Sequence, residues 1–345
     1  MKPSLIALSA LCALASCGGG TKEGSKNEET AATAKLLDPA NMDTTVSPGE
    51  NFFMYANGNW FKQNPIPASE TRWGSFNQLI NNNYDILHNL LETAAAQKNA
   101  KAGSADQKVG DFYRSGMDSA NIEKAGLTPL NPWLTRIDAV KTPEELLAEI
   151  AKEHTEGIGS IFNFYVAPDD KEVTKQICQV FQGGLGMPDR DYYLNNDART
   201  VVIRDAYKAY LTKMFALMGN DEAQAIKNAQ AVMALETNLA KASMSRVEMR
   251  DPYKVYNKFD LAGLSKVTPN MDWAYIFAQL NVKGQDSLIV GQPKFLAEVG
   301  KQLKATPVDA WKQYLKFHLV NGMAPFLSSS FDKTRFDFYG KTVSG

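Results

Sequence analysis

The sequence has few cysteines and almost no net charge. Three of its 345 residues are cysteine, and because Cys12 and Cys17 fall in an N-terminal apolar stretch, only Cys178 lies in the body of the chain. One body cysteine excludes an intrachain disulfide framework, and we interpret it as a small buried hydrophobe rather than a nucleophile. The 37 basic and 38 acidic residues leave a net charge of -1, which gives no electrostatic reason to expect nucleic acid as a partner.

The sequence also lacks the local patterns of common catalytic centres. It contains no G-x-S-x-G nucleophile elbow, no G-x-x-x-x-G-K-[ST] phosphate loop and no H-E-x-x-H zinc helix. Its three histidines, His88, His154 and His318, are isolated and lack the spacing of roughly three to five residues that is typical of a local zinc pair. The helical positions of His88 and His154 favour hydrogen-bonded core or boundary roles. A zinc site assembled from all three by folding is the less favoured alternative.

What is present begins with a targeting pattern at the N-terminus. A short apolar run over residues 5–14 leads into Leu14-Ala15-Ser16-Cys17, which resembles the lipobox of bacterial lipoproteins. This pattern predicts a signal peptide over 1–16, a lipid on Cys17 and a flexible Gly-, Ser- and charge-rich tether over 17–37. Since no Asp follows the cysteine, we expect a lipid-anchored protein of the cell envelope, at the outer membrane and facing either side. A generic secretory signal with an incidental Cys17 is the alternative.

Helical periodicity dominates the body of the chain. Apolar residues recur every three or four positions over 76–94 and predict a long amphipathic helix, while Thr142-Pro143-Glu144-Glu145 predicts a capped helix that stops near Gly157. Further helices are predicted within 109–117, 202–218, 225–239, 273–280 and 295–327. Two extended runs, 160–166 and 176–181, predict a small β-hairpin. The predicted fold is therefore mostly α, an α+β fold with a small β-hairpin, and no linker divides the body.

The segment Glu50–Asn77 combines many aromatic side chains with Pro65 and Pro67. Because proline disfavours helix interiors and central strands, we expect an irregular segment whose aromatic side chains are buried between other elements. The segment enters the long helix through Arg72, where an arginine could bind an external carboxylate in bidentate fashion or pair with the protein's own Asp or Glu. Asn77 could share such a site or face solvent.

Four blocks of the body together carry a resemblance to a known family. They are NFFMYANGNW at 51–60, NPIP at 64–67 followed by Arg72 and Phe76, VGDFYRSGMD at 109–118, and GLGMPDRDYY at 184–193. In this order the blocks resemble the N-terminal half of the neprilysin and endothelin-converting-enzyme family of zinc metallopeptidases, in its bacterial lipoprotein form. The resemblance runs from about Asp38 to Gly345, and Gly49, Asn57 and Gly116 stand where animal relatives carry cysteine.

The resemblance implies a large multi-helical cap domain over 38–345 that encloses a chamber for small peptides and closes over a C-terminal zinc catalytic domain. Position by position, Arg72 matches the arginine that holds the free C-terminal carboxylate of bound peptides. Phe76 matches a residue that lines the pocket for the side chain after the scissile bond. Asn77 stands where relatives can carry Asp beside that arginine.

The resemblance also implies zinc as the cofactor of the complete enzyme, held by the H-E-x-x-H and E-x-x-x-D helices of the C-terminal half. Since this sequence has no H-E-x-x-H, we expect the chain alone to bind no zinc and to hydrolyse no peptide. Its expected partners are the zinc domain, small peptides and, through the lipid on Cys17, the membrane. The alternative is a non-catalytic lipoprotein that binds peptides or a partner protein. We interpret the block 190–193 as structural.

Overall fold

The computed structural model describes residues 37–159 and 161–345. The predicted signal peptide, the lipid on Cys17 and nearly all of the tether lie outside these residues, and the predicted boundaries stay predictions. The chain divides into two compact units, one up to Asn81 and one from Asn82 to Gly345, with the division inside a long helix. We describe each unit by itself.

Helices account for most of the regular structure, as the sequence predicted. In chain order the α-helices are α1 (Phe52–Gln63), α2 (Ser75–Ala96), α3 (Ala105–Met117), α4 (Ser119–Ala125), α5 (Asn131–Ala139), α6 (Pro143–Thr155), α7 (Asp191–Leu194), α8 (Ala198–Leu217), α9 (Glu222–Ala242), α10 (Pro252–Val255), α11 (Leu261–Val267), α12 (Trp273–Gln279), α13 (Pro293–Ala305), α14 (Val308–Met323) and α15 (Ser329–Phe336). The strands are β1 (Phe162–Asp169), β2 (Glu172–Gln182), β3 (Lys258–Asp260) and β4 (Ser287–Val290). None of the helices within the described ranges is both long and apolar enough to span a bilayer.

The first unit departs from the sequence prediction, because α1 forms where an irregular segment was expected. The Asn51 side chain caps this helix by accepting a hydrogen bond from the Met54 N–H at 3.0 Å. The helix ends at Gln63, and its C-cap residue Asn64 directly precedes Pro65. The residue that precedes a proline is biased away from helical geometry, so the prolines end the helix without preventing it.

The burial predicted for the aromatic side chains of α1 is wrong for its three phenylalanines, whereas Tyr55 and Trp60 are half-buried. Phe52 is 70% exposed, Phe53 59% and Phe61 42%. The rings contact each other instead, with centroids of Phe53 and Phe61 5.5 Å apart and those of Trp60 and Phe61 5.4 Å apart. These aromatic side chains therefore contact one another, whereas we expected them to be buried between other elements.

In the second unit, α6 begins and ends where its sequence signals indicate. The Thr142 side chain accepts a hydrogen bond from the Glu145 N–H at 3.2 Å, and the Glu145 carboxylate accepts one from the Lys141 N–H at 2.7 Å. Past its end, Gly157 adopts a φ of 79°, a conformation that favours glycine. These reciprocal caps satisfy backbone groups that a helix terminus leaves unpaired.

The predicted hairpin is part of a four-stranded sheet with the order β1-β2-β4-β3. The hairpin strands β1 and β2 are antiparallel, whereas β2 and β4 are parallel, with Cys178 opposite Leu288. Cys178 is buried, as the sequence predicted, and burial raises the pKa of its thiol. Strands β3 and β4 were not predicted from the sequence, because strands of three and four residues are too short to show an alternating pattern.

Candidate functional site

The three residues predicted to contact substrate lie at the entrance to α2, in the first unit. Arg72 precedes the first residue of the helix, Ser75, and is exposed. Phe76 lies in the first turn and is 80% exposed, and Asn77 beside it is half-buried. The structure therefore places all three on one short stretch, with Arg72 just ahead of the helix as expected. Their roles toward a substrate stay predictions.

Hydrogen bonds around Gly74 hold this stretch. The Gly74 carbonyl accepts from the N–H groups of Asn77 at 3.0 Å and Gln78 at 3.2 Å. The Gln78 side chain donates to Asn64 Oδ1 at 2.6 Å, which ties the first turn of α2 to the end of α1 across the proline loop. The backbone at Phe76 and Asn77 is therefore held both by the Gly74 carbonyl and by the contact with the end of α1.

Arg72 has no acidic partner within the first unit. No ion pair or hydrogen bond joins its guanidinium to any of residues 37–81, whereas Lys62 of the same unit lies 2.7 Å from Asp43 Oδ2. Hydrogen bonds from Lys62 and then from Thr45 lower the Asp43 pKa to about 2. An exposed guanidinium without a partner is available to bind a carboxylate through two parallel hydrogen bonds.

A buried polar cluster in the second unit was not predicted from the sequence. Glu236 on α9 is fully buried, and its Oε2 accepts hydrogen bonds from the hydroxyls of Tyr193 at 2.7 Å and Tyr207 at 2.9 Å. His318 Nε2 lies 2.8 Å from Glu236 Oε1. Burial, together with the charge of Glu236, raises the pKa of both tyrosines well above the ordinary range. The missed signal is that Glu236 occupies a position of the apolar stripe, four residues after Val232.

The same cluster holds the glycine-rich loop that precedes α7. The Tyr314 hydroxyl donates to the Gly184 carbonyl at 2.7 Å, and the Tyr339 hydroxyl donates to the Gly186 carbonyl at 2.7 Å. A side chain at Gly186 would overlap the Tyr207 hydroxyl, so only glycine fits there. These contacts support the interpretation of the GLGMPDRDYY block as structural.

The histidines have separate environments in the second unit. His318 pairs with Glu236, as described above, and His88 is exposed. The His154 ring stacks on Phe162 with centroids 4.9 Å apart, and burial lowers its pKa to about 4. Within 37–159 and 161–345, no group of three or more His, Cys, Asp or Glu side chains could hold a metal ion, so this part of the chain does not fit zinc.

Large apolar side chains stay exposed on α2 and α3 in the second unit, and the two helices touch near the end of α2. The close approach is at Gly110, where a Cβ atom would lie 2.5 Å from the Ala94 carbonyl oxygen. We call the following set the α2–α3 apolar surface: Tyr84 (64% exposed), Leu87 (45%), Leu90 (60%), Val109 (41%), Phe112 (82%) and Met117 (62%). The amphipathic pattern of α2 thus predicted the helix, but of its apolar residues only Ala94 is buried, and the large ones do not enter a core of the described residues.

Comparison with known proteins supplies the family. The sequence profile of peptidase family M13 matches residues 48–345. The chain belongs to peptidase family M13. Endothelin-converting enzyme 1 from Homo sapiens is 29% identical to the M13 chain over 313 residues, and the enzyme from Rattus norvegicus is 28% identical over 313 residues. Each alignment covers 87% of this chain and 40% of the relative, so the chain spans well under half the length of these enzymes.

Solved structures show the same fold. The zinc metalloprotease Zmp1 of Mycobacterium tuberculosis, in complex with an inhibitor, matches with a TM-score of 0.81 and 30% identity over 90% of this chain and 47% of Zmp1. Its open state matches with a TM-score of 0.75 over 87% of this chain and 46% of Zmp1. PepO from Lactobacillus rhamnosis, at 15% identity and a TM-score of 0.68, covers 85% of this chain and 46% of PepO and shares the fold. The resemblance and the mostly helical fold are thereby confirmed.

Proposed function

We propose that this M13 chain is the substrate-enclosing helical part of a neprilysin-like zinc metalloendopeptidase that hydrolyses small peptides. Membership of family M13 supports the reaction class, as do the relatives' descriptions as endothelin-converting enzyme and zinc metalloprotease. The exposed α2–α3 apolar surface is the observation that supports a partner domain. We propose that a C-terminal zinc catalytic domain, from the same gene or a separate chain, covers this surface.

The exposure of this surface is what supports a covering domain. Its six side chains are 41–82% exposed. Burying an exposed large apolar side chain contributes about 1.5–3 kcal/mol, and stable monomers seldom leave several such side chains together in water. Covering the surface would therefore supply much of the free energy that holds two domains together.

Zinc enters this proposal only as the cofactor of the complete enzyme. Since the residues described here do not fit the ion, we propose that residues of the C-terminal domain hold it and that this chain alone is inactive. Arg72 then binds the C-terminal carboxylate of the peptide, Phe76 packs against the side chain that follows the scissile bond, and Asn77 supports that end of the site. The unpaired state of Arg72 in its unit and the 80% exposure of Phe76 support these roles.

Peptide hydrolysis tests the proposal. The purified chain is assayed with a short peptide, alone and together with a polypeptide that carries the C-terminal M13 domain with its H-E-x-x-H helix. We expect chelator-sensitive cleavage only by the combination. Zinc-dependent cleavage by the chain alone would contradict its inactivity, and failure of the two polypeptides to bind each other would contradict the proposed partner.

The second candidate is a non-catalytic lipoprotein that binds peptides or a partner protein through the α2–α3 apolar surface. The exposure of that surface is compatible with both candidates. The coding sequence just downstream of the Gly345 codon distinguishes the two candidate functions. Codons for an H-E-x-x-H motif there would support the peptidase. A stop codon without a nearby catalytic gene supports the binding protein.

We further propose that the chain is anchored in the cell envelope through lipid on Cys17, at the outer membrane. The support is the sequence pattern alone, a short apolar run followed by small residues and a cysteine without a following Asp.

A further inference from the structure

A basic cavity of about 520 Å³ lies beside the N-terminus of α13 in the second unit. Four cationic side chains line it, those of Arg190, Lys241, Lys254 and Lys294, against one carboxylate, that of Glu248. None of the four cations forms an ion pair with a residue in the described ranges. The described lining of the cavity therefore has an excess of positive charge.

The single carboxylate already has other partners. Glu248 Oε2 accepts hydrogen bonds from both the N–H and the hydroxyl of Ser245, each at 2.8 Å. These hydrogen bonds, with smaller contributions from Arg190 and Lys254, lower the pKa of Glu248, so it is ionised at neutral pH. One negative charge, engaged by Ser245, faces four positive ones.

Gln292 supplies a buried donor that has no acceptor. The residue is 2% exposed and lines the cavity. Its Oε1 accepts a hydrogen bond from the Gln182 N–H at 2.7 Å, which fixes the orientation of the amide and makes the other atom the donor. That Nε2 atom is buried without a hydrogen-bond partner. A buried donor without an acceptor is costly, so a ligand oxygen in the cavity would stabilise it.

Two further sets of donors belong to residues that line the same cavity. Arg190 donates from Nη1 to the Ser243 carbonyl at 2.7 Å, while its Nε is buried and unpartnered. Gln292 is also the N-cap residue of α13, whose N-terminus has no side-chain cap and begins with Pro293. An uncapped helix N-terminus presents free N–H groups and the positive end of the helix dipole.

We infer that this cavity is a binding site for a multivalent oxyanion of the phosphate or sulfate class. Such an anion offers acceptor oxygens on several sides to Gln292 Nε2, Arg190 Nε and the helix N-terminus: sulfate carries no donor, and phosphate at neutral pH keeps at least two oxygens without a proton. Its charge offsets the excess of cations around the cavity. This inference does not depend on the proposed peptidase function, because all of its residues lie in one unit and none belongs to the predicted substrate site.

Thermal unfolding and calorimetry of the purified chain test the site. Sodium phosphate and sodium sulfate are titrated at constant ionic strength, with chloride and acetate as reference anions. We expect a saturable rise in the unfolding temperature with phosphate and sulfate that chloride and acetate do not give. An equal rise with acetate, or a rise that never saturates, would overturn the assignment.

The decisive variant is Gln292→Glu, which keeps an acceptor for the Gln182 N–H but replaces the free donor by a negatively charged oxygen. We expect it to lower phosphate affinity by about tenfold or more, because it replaces a hydrogen bond to an anion by repulsion. A response to phosphate equal to that of the unsubstituted chain would refute the inference.

Two double variants test the site independently if Gln292→Glu unfolds the chain. Lys254→Gln with Lys294→Gln removes two exposed charges at the cavity, and Lys266→Gln with Lys283→Gln removes two exposed charges elsewhere. We expect only the first pair to weaken phosphate binding. Equal weakening by both pairs would show a general charge effect and overturn the site.

Discussion

At the scale of single residues, Arg72 yields the most specific test of the proposed site. In the complete enzyme, Arg72→Ala should lower kcat/KM by about tenfold or more for peptides with a free C-terminal carboxylate, because it removes a bidentate ion pair. Amidated peptides should lose much less. Arg250→Ala, at another exposed arginine without an ion pair, is the control. Equal losses on free and amidated peptides would refute the carboxylate role.

Glu236 yields a stability prediction. Glu236→Gln keeps the shape of the side chain but replaces one accepting oxygen by a donor that faces the hydroxyls of Tyr193 and Tyr207. Since hydrogen bonds to a buried charge contribute about 1.5–3 kcal/mol each, we expect the free energy of unfolding to fall by about 2–4 kcal/mol. Urea denaturation measures the change. The control, Glu222→Gln, lies on the exposed first turn of the same helix and should change stability by only about 0.5 kcal/mol.

The residues of the candidate site differ in how far the sequence could predict them. The position of Arg72 ahead of a helix followed from local periodicity, which the structure confirms. The partner of His318 could not be predicted from local periodicity, because Glu236 is 82 residues away in the chain. Only the packing of α9 against α14 brings the two residues together. Local patterns thus identify helix entrances, whereas buried polar networks depend on tertiary contacts.

At the scale of elements, the same distinction separates the correct predictions from the wrong ones. The helix α6 was predicted with its cap because Thr142 and Glu145 lie within one turn. The helix α1 was not predicted, because two prolines close to it indicate an irregular segment, although both follow its end. The strands β3 and β4 were not predicted, because each is too short to show an alternating pattern and its pairing partners lie far away in sequence.

Asp169 connects two elements, the hairpin and β3, and predicts a pH dependence. Its carboxylate accepts hydrogen bonds from the Lys171 N–H, the Lys258 ammonium and the Tyr256 hydroxyl, each at 2.9 Å. These contacts, led by the one from Lys171, lower its pKa to about 2. An unfolded Asp has a pKa of about 3.9, so the stabilisation is complete above that pH and is lost as the pH falls through about 2.

Replacement of Asp169 by Asn should therefore lower stability at neutral pH and flatten its decline between about pH 4 and 2. Thermal unfolding across this range measures the slope. Asp170→Asn, at the exposed neighbouring position, should leave both the stability and the slope nearly unchanged. An unchanged slope in the Asp169 variant would refute the argument.

The α2–α3 apolar surface makes a prediction about assembly. Replacing Leu90 and Phe112, which are 60% and 82% exposed, by Gln should leave the unfolding temperature of the chain nearly unchanged but weaken its binding to the C-terminal M13 domain. Val173→Gln, at a 71% exposed site in the hairpin, is the control and should bind normally. Binding is measured by calorimetry, and normal binding of the double variant would place the interface elsewhere.

At the scale of the whole molecule, the predicted lipid on Cys17 decides where the protein resides. Cys17→Ala should abolish incorporation of labelled fatty acid and shift the protein from the membrane fraction to the soluble fraction, because the anchor is lost. Cys12→Ala, within the apolar stretch, is the matched control and should retain the label. Unchanged fractionation of the Cys17 variant would contradict lipid anchoring.

The sequence predicted the family and the mostly helical fold, because several motifs occur in a fixed order along most of the chain. It did not predict how the apolar faces are used. Periodicity shows that one side of α2 is apolar, but not whether that side enters a core of this chain or stays available for another domain. That distinction needs the packing of the described residues, in which Leu90 is still 60% exposed.

Cys178 has a practical consequence. It is the only cysteine after Cys17, it is 1% exposed, and it sits where β2 pairs with β1 on one side and with β4 on the other. Burial keeps thiol reagents from reaching the sulfur, and the raised pKa of the thiol lowers the fraction of reactive thiolate. A thiol reagent should therefore modify it only when this central strand separates from its neighbours. The rate of modification, followed by mass spectrometry, would report the opening of the sheet without any introduced label.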